Sequence, residues 1–147
     1  MNDQPVIIYS DGACKGNPGP GGWAALLQFG DHEKEISGYE DQTTNNRMEL
    51  MAALQALRTL NRPCIVHFYT DSEYLKNGIT KWMAGWRARN WRRKGGELAN
   101  VDLWKALDLA IRPHQITWHW VRGHAGNSAN ERVDRLATQA ILKANYR

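Results

Sequence analysis

Two short apolar runs in the sequence are each followed by an aspartate. Asp11 follows Val6–Ser10, and Asp71 follows Ile65–Thr70. If both runs are parallel strands of one sheet, the two carboxylates emerge side by side at its C-terminal edge, where open α/β sheets bind ligands. Paired carboxylates at such an edge can repel each other, share a proton or hold a hard cation.

Two further acids are predicted to reach the same edge. Glu49 falls in the first turn of a predicted helix between the two strands, and Asp134 lies one to two turns into the last predicted helix. Each acid could instead be a solvated surface residue or a charge that favours a helix start. Acids that do converge would not all ionise without a cation, and magnesium prefers carboxylate oxygen and commonly binds with substrate phosphate.

The chemistry that this acid set favours is phosphodiester hydrolysis. Two metal ions can activate a water and stabilise a departing oxygen during in-line attack on phosphorus. Carbohydrate hydrolysis would need only a pair of carboxylates. His124, between glycines in a loop before the last helix, could accept the proton of the attacking water or help the product leave. It could also be an ordinary exposed loop histidine, whereas His67 and His119 lie inside strands, where packing is expected.

The elements that must position these residues alternate between strands and helices. Three strands, a helix, a strand, several helices, a strand and a helix predict an α/β fold with a mixed five-stranded sheet flanked by helices, in which strands 1, 2 and 3 form an antiparallel meander and strands 1, 4 and 5 are parallel. The predicted strands are Val6–Asp11, Trp23–Phe29, Lys34–Tyr39, Ile65–Asp71 and Gln115–Val121, with a loop from Gly12 to Gly22. The predicted helices are Thr44–Leu60, Ser72 to near Gly78, Thr80–Trp86, Val101–Ile111 and Ala129–Ala144.

Two local signals refine the helix boundaries. Asn46 with Glu49 three positions later resembles a capping box at the start of the first helix. Ser72 is expected to cap the helix after the second aspartate, and Gly78 is expected to stop it.

Composition restricts the class of protein. With 147 residues the chain has the size of a single domain, 1–147, with a proper core. Its longest apolar stretches have the length of strands, so no membrane span is expected, and no secretory signal is visible at its start. The two cysteines are far apart in the sequence, which fits reduced thiols in the cytoplasm. The net charge of +4 gives slight support for an anionic partner.

A basic segment with interleaved tryptophans points to nucleic acid. The five cations within eight residues are Arg87, Arg89, Arg92, Arg93 and Lys94. Trp82, Trp86 and Trp91 lie in and beside this stretch; rings can contact sugars or bases while cations contact phosphates. The segment could also be a solvated loop, and Trp86 is expected to pack in the core.

Neutral polar residues near the acids suit a ribose. The set consists of Asn17, Thr44, Asn45 and Asn46. Amide side chains can both donate to and accept from a 2′-hydroxyl. The same residues are common in turns and helix caps, and both roles can hold together. The glycine-rich loop 12–22 matches neither the Walker pattern nor the Gly-x-Gly-x-x-Gly pattern before a helix. We therefore do not predict binding of a nucleoside triphosphate.

The motifs of this sequence closely resemble those of type 1 ribonuclease H. The resemblance rests on four motifs in order along the chain: Asp11–Gly22, Thr43–Leu50, Thr70–Ser72, and Gly123–Gly126 continuing through Asn130–Glu131 to Asp134. It implies a magnesium-dependent endonuclease, with Mn²⁺ able to substitute, that cuts the RNA strand of RNA/DNA hybrids and leaves 5′-phosphate and 3′-hydroxyl ends.

The resemblance also implies roles for individual residues. Asp11, Glu49, Asp71 and Asp134 match the metal-binding acids, and His124 matches a mobile catalytic histidine. Asn17, Asn45 and Asn46 match contacts to the RNA strand, Thr44 and Asn100 match a pocket for a DNA phosphate, and Trp82 matches an aromatic at the DNA channel. The basic segment resembles the substrate-binding handle of bacterial-like members. Glu73 is a departure, because many relatives carry glutamine there.

The sequence therefore predicts a monomeric cytoplasmic hydrolase that acts on RNA/DNA hybrids. Two alternatives stay open. One is a hybrid-binding module without catalysis, and the other is a DNA nuclease or resolvase with a related fold. The intact acid set argues against the first, and the asparagine cluster argues against the second.

Overall fold

The computed structural model describes residues 4–92, 96, 98–122 and 128–145, which form a five-stranded sheet flanked by helices. The strands are β1 (Val6–Cys14), β2 (Gly19–Phe29), β3 (His32–Thr43), β4 (Ile65–Thr70) and β5 (Gln115–Trp120). The helices are α1 (Asn45–Thr59), α2 (Glu73–Asn77), α3 (Met83–Ala88), α4 (Val101–Ile111) and α5 (Ser128–Asn145), with a π-helical turn at Gly78–Trp82 between α2 and α3.

The sheet has the predicted mixed topology. Its strand order is β3-β2-β1-β4-β5. The pairs β1–β2 and β2–β3 are antiparallel, whereas β1–β4 and β4–β5 are parallel. In the β1–β4 register Tyr9 pairs with Tyr69. Asp11 and Asp71 each follow two residues later, so they lie side by side as the sequence predicts, although Asp11 is still within β1 and only Asp71 follows the end of its strand.

Alternating side chains of the strands build a core on each face of the sheet. On one face Ile8 and Phe68 are fully buried in the cluster that α1 and α4 complete. On the other face α5 packs across β1, β2 and β3. Ala137 and Ile141 of α5 are buried there. Because both faces of β1 are covered, the edge where Asp11 emerges is held rigidly between two layers.

The glycine-rich segment after Asp11 is mostly strand, which corrects the predicted loop from Gly12 to Gly22. β1 continues to Cys14 and β2 begins at Gly19, so only the residues between them form the connection. A Cβ added at Gly21 would lie 2.4 Å from Thr43 Cγ2, and one at Gly22 would lie 2.2 Å from the Ala137 carbonyl oxygen. These glycines therefore let neighbouring elements pack closely against a strand. β3 likewise extends beyond the predicted Lys34–Tyr39.

The start of α1 also differs from the prediction. Thr44, with extended backbone, is the N-cap, and its Oγ1 accepts a hydrogen bond from the Arg47 backbone N–H at 3.1 Å. Asn46 lies inside the helix, so the predicted capping box at Asn46 and Glu49 is wrong. A threonine hydroxyl two residues earlier satisfies the exposed N–H instead.

α2 ends at Asn77 with Gly78 as its C-cap, as predicted, but Gly78 does not take the chain out of a helical path, because a π-helical turn follows. Its backbone is right-handed helical, with φ −61° and ψ −49°, and the chain stays helical from Glu73 to Ala88. The reason for a glycine is packing, because an added Cβ would lie 1.9 Å from the Trp104 indole. Ser72 caps α2 as predicted and accepts from the Leu75 N–H at 3.1 Å.

The predicted helix Thr80–Trp86 is a π-helical turn at Gly78–Trp82 followed by α3 at Met83–Ala88, whereas the remaining bounds agree with the prediction to within a residue or two. α4 spans Val101–Ile111, β5 ends one residue earlier than predicted, and α5 begins one residue earlier. Ile116, Trp118 and Trp120 of β5 all pack against the core, as their alternation predicts. Among the described residues, the helices are all too short or too polar to traverse a lipid bilayer.

Candidate active site

Three acids meet just beyond the point where the parallel pairing of β1 with β4 ends. One carboxylate oxygen from each of Asp11, Glu49 and Asp71 lies within 4.8 Å of the other two. Asp11 comes from the middle of β1, Asp71 directly follows β4, and Glu49 comes from the first turns of α1. Oxygen ligands at this spacing are what a hard divalent cation requires. We call this group the acid cluster.

Glu49 is the most strongly perturbed member of the acid cluster. Its pKa is raised well above the usual value, first because burial disfavours its charge and second because Asp11 and Asp71 repel it. The Oε2 atom of Glu49 is buried and accepts no hydrogen bond from the part of the chain that the structure describes. A cation would satisfy this oxygen and offset the repulsion, so the donor set fits a divalent metal.

Gly12 lets β1 approach the start of α1 closely beside the acid cluster. A Cβ at this position would lie 2.5 Å from the Glu49 backbone nitrogen, so only glycine allows β1 to pass directly under the start of α1. Its own N–H donates to Asp11 Oδ1 at 2.9 Å. This close approach brings Glu49, which is distant in sequence, to the two strand-borne aspartates.

The acid cluster opens into a cleft of about 420 Å³ with an almost wholly polar lining. Asp134 from α5 lines this cleft, so all four predicted acids face one space, although Asp134 does not belong to the tight group of three. Glu73 lines it as well, together with Asn45 and Asn46. Glu73, where many relatives carry glutamine, thus adds a further carboxylate to the lining of the cleft.

The predicted polar residues surround the start of α1. Asn45 and Asn46 are exposed and line the cleft. Asn17, from the β1–β2 connection, accepts a hydrogen bond at Oδ1 from the Asn45 backbone N–H at 2.8 Å. Asn17 therefore ties the connection to α1, and Asn45 and Asn46 lie at the surface of the cleft.

Asn100 belongs to a network that joins three helices. Its Nδ2 donates to the Tyr74 hydroxyl oxygen at 3.0 Å, and the Trp104 indole N–H donates to the same oxygen at 3.1 Å. Arg47 reaches from α1 to Asn100 Oδ1 at 3.4 Å and forms a bidentate pair with Asp102 at 3.0 and 2.6 Å. The backbone of Asn100 is left-handed, with φ +58°, a conformation that asparagine tolerates better than most residues.

Tyr74 is a site residue that sequence reasoning missed. It lines the acidic cleft and also a neighbouring groove of about 320 Å³ formed with Trp82, Trp86, Leu98 and Ala99. Only its position three residues after Asp71 could have indicated this role. Trp82 is 37% exposed at the edge of the groove, whereas Trp86 is 8% exposed, as the packing prediction for Trp86 requires.

The predicted basic residues differ in how far the fold already uses them. Arg87 Nε donates to the buried carboxylate of Asp108 at 3.0 Å, and Arg112 pairs with the other oxygen at 2.8 Å. Arg89 and Arg92 are exposed, and neither forms an ion pair with another described residue. Arg93, Lys94 and His124 lie outside the described residues, so their predicted roles stay predictions.

The fold and the cleft together define an enzyme of the nuclease class, in which an acidic metal site lies at the edge of a mixed sheet. The sequence profile of RNase H matches residues 3–142. The chain belongs to the RNase H family, whose members are metal-dependent hydrolases of RNA in RNA/DNA hybrids.

Individual relatives agree with this assignment. The chain is 61% identical to Ribonuclease H of Cupriavidus metallidurans, over 97% of this chain and 99% of the relative. It is 57% identical to Ribonuclease HI of Caulobacter vibrioides, over 97% of this chain and 96% of the relative. Among solved structures it resembles LC9-RNase H1, a type 1 RNase H with the type 2 active-site motif. The TM-score is 0.88 and the identity 34%, over 97% of this chain and 74% of that one.

Proposed function

We propose that this chain is an endonuclease that hydrolyses the RNA strand of RNA/DNA hybrids with Mg²⁺ bound at the acid cluster. The observation that carries the proposal is the convergence of Asp11, Glu49 and Asp71 within 4.8 Å, in a cleft that Asp134 also lines. Membership of the RNase H family supports the substrate. We further propose that residues 1–147 act as one catalytic domain and as a monomer.

Carboxylate oxygens are the ligands that favour Mg²⁺ over softer cations, and Mn²⁺ can substitute for it. Asp11, Glu49, Asp71 and Asp134 are the residues that would hold the metal. Two ions held there would supply the chemistry of water activation and of charge stabilisation on the departing 3′ oxygen, and the products would carry 5′-phosphate and 3′-hydroxyl ends. The buried, repelled carboxylate of Glu49 supports this assignment, since its ionised form needs a nearby positive charge.

Polar side chains around α1 would hold the RNA strand against the acids. Asn45 and Asn46 line the cleft beside the acid cluster, and the fixed contact from Asn17 sets the position of Asn45. Their amides can donate to and accept from a 2′-hydroxyl, which DNA lacks. Selection of the RNA strand would follow from these contacts, while His124 would accept or deliver a proton near the scissile phosphate.

The DNA strand would lie along the other side of α1 and over the tryptophan groove. Thr44 and Asn100 are proposed to bind a DNA phosphate. The hydroxyl proton of Thr44 stays available, because its oxygen serves as the acceptor in the helix cap. Trp82 offers an exposed ring to a sugar or base, and Arg89 and Arg92 offer exposed cations to phosphates. The pairing of Arg87 with Asp108 would hold α3 against α4 and thereby support this surface.

The test is cleavage of an end-labelled RNA/DNA hybrid in Mg²⁺ and in chelator, beside matched RNA and DNA duplexes. We expect cleavage only of the RNA strand in the hybrid and only with metal. The 5′-phosphate is checked by the change in fragment mobility after phosphatase treatment. Cleavage of the DNA duplex would favour a resolvase, and tight hybrid binding without cleavage would favour a binding module.

A variant of the acid cluster separates chemistry from binding. Asp11→Asn should reduce cleavage by several orders of magnitude yet leave hybrid affinity largely unchanged, since it removes a metal ligand and no predicted substrate contact. Asp31→Asn, in the exposed β2–β3 turn, is the matched control and should cleave like the parent chain. Retained turnover in Asp11→Asn would overturn the metal assignment.

A further inference from the structure

Two histidines meet on the sheet at a place that the proposed function does not use. His67 lies on β4 and His119 on the neighbouring parallel strand β5. The Nδ1 atom of His67 and the Nε2 atom of His119 are 2.8 Å apart, and both residues are only half-buried. The helix on this face, α5, packs chiefly on β1, β2 and β3, and so leaves the histidines within reach of solvent.

The rings of this histidine pair are held by a stack of aromatic neighbours. His119 stacks on Tyr69 with ring centroids 4.3 Å apart and an interplanar angle of 10°. Tyr69 stacks in turn on Tyr9 at 4.9 Å and 20°. The stack and the rigid β4–β5 backbone fix where the two ring nitrogens converge, so little conformational entropy would be lost when both bind one ligand.

The separation of the two nitrogens is close to what one shared metal ion requires. With metal–nitrogen bonds of about 2.0–2.1 Å, two imidazoles at cis positions of a square plane or octahedron have nitrogens about 2.9 Å apart. In a tetrahedral site the same bonds require about 3.3–3.4 Å. The observed 2.8 Å is that of a hydrogen bond and is close to both spacings, so small rotations of the rings would let both nitrogens bind one ion, and imidazole is a favoured ligand of Cu²⁺ and Ni²⁺.

We propose that His67 and His119 form a second metal site, for an ion that favours imidazole nitrogen such as Cu²⁺ or Ni²⁺, and separate from the acid cluster. The ion would replace the hydrogen bond between the two rings and bridge β4 to β5, with its remaining positions open to water or another small ligand. Imidazole nitrogens are poor ligands for Mg²⁺, so the two sites would not compete for the same ion.

The probe for this site is Cu²⁺ chelated by iminodiacetate. The chelator leaves positions open for two cis imidazoles and occupies the coordination positions that isolated carboxylates would otherwise take. Electron paramagnetic resonance should show two equivalents of imidazole nitrogen per copper and one copper per chain. His67→Gln and His119→Gln should each weaken binding at least tenfold. His32→Gln, an exposed histidine at the start of β3, should bind like the parent chain.

A second measurement shows whether the variants are correctly folded. Neither histidine belongs to the proposed cleavage site, so both glutamine variants should cleave the hybrid in Mg²⁺ as the parent chain does. With the acid cluster saturated by Mg²⁺, added Ni²⁺ should raise the unfolding temperature of the parent chain by more than that of the variants. Unchanged copper affinity in either variant with normal cleavage, or a spectrum with one nitrogen only, would overturn the proposal without affecting the proposed function.

Discussion

Replacement of Gly78 by alanine tests how the tryptophan groove is built. An alanine Cβ would lie 1.9 Å from Trp104 Cη2 and 2.4 Å from Cζ3, far inside ordinary carbon–carbon contact. Trp104 is fully buried. The indole must shift or the helix must separate from α4, and either movement disturbs the hydrogen bond from Trp104 to the Tyr74 hydroxyl.

The expected magnitude follows from three opposing terms. Overpacking of a filled core costs about 1–3 kcal/mol. Loss of the hydrogen bond adds about 1 kcal/mol. The higher helix propensity of alanine returns at most about 1 kcal/mol. The free energy of unfolding of Gly78→Ala should therefore fall by about 1–3 kcal/mol, which corresponds to a decrease of roughly 3–10 °C in the unfolding temperature for a chain of this length.

Urea denaturation and scanning calorimetry measure this change, and Gly85→Ala is the matched control. Gly85 is also helical, but a Cβ there would meet only the end of the flexible Arg89 side chain, at 3.1 Å. Gly85→Ala should be neutral or stabilising by up to about 1 kcal/mol. If Gly78→Ala were as stable as its control, steric exclusion by Trp104 would not be the reason for a glycine at this position.

Three further predictions concern pH, salt and turnover. The pKa of Glu49 is raised in the folded chain, so its contribution to stability is complete below the ordinary value of 4.5 and is lost as pH rises through the folded-state pKa. In chelator, Glu49→Gln should therefore lose less stability between acid and neutral pH than the parent chain, and parallel unfolding profiles would contradict this. Replacing Arg92 and Arg93 together by alanine should weaken hybrid binding. The slope of log binding constant against log salt concentration should fall in magnitude by about one unit for each phosphate that the variant no longer neutralises. The control Arg58→Ala, at the far end of α1, should leave this slope unchanged. His124→Ala should slow single-turnover cleavage without changing which strand is cut, and loss of metal binding in this variant would show that the histidine is a ligand.

The order of elements and the convergence of the acids are determined by local sequence patterns. Apolar runs followed by Asp11 and Asp71, with a helix between them, allow few topologies, since parallel strands joined by a crossover share one C-terminal edge. The observed register of β1 and β4 confirms that arrangement. Asn45 and Asn46 were predicted to contact the substrate; both line the cleft, and the contact itself stays a prediction.

Features that depend on the packing of distant segments were predicted poorly. Gly78 was expected to stop a helix, and α2 does end there, but the chain continues as a π-helical turn, and Trp104, far along the chain, is what excludes a larger residue. Gly12–Gly22 was expected to be a loop, but pairing between β1 and β2 and close packing against α1 and α5 make most of it strand. Tyr74 gave no local signal for its position between the cleft and the groove.

The sequence alone determined the family, the strand order and the set of acids, because each is encoded in short motifs and in their order along the chain. Only the tertiary structure decided the raised pKa of Glu49, the bond between Asn100 and Tyr74, and the meeting of His67 with His119. Each of these depends on distances of a few ångströms between residues far apart in sequence. Such distances are set by the packing of whole elements against one another, which no local pattern specifies.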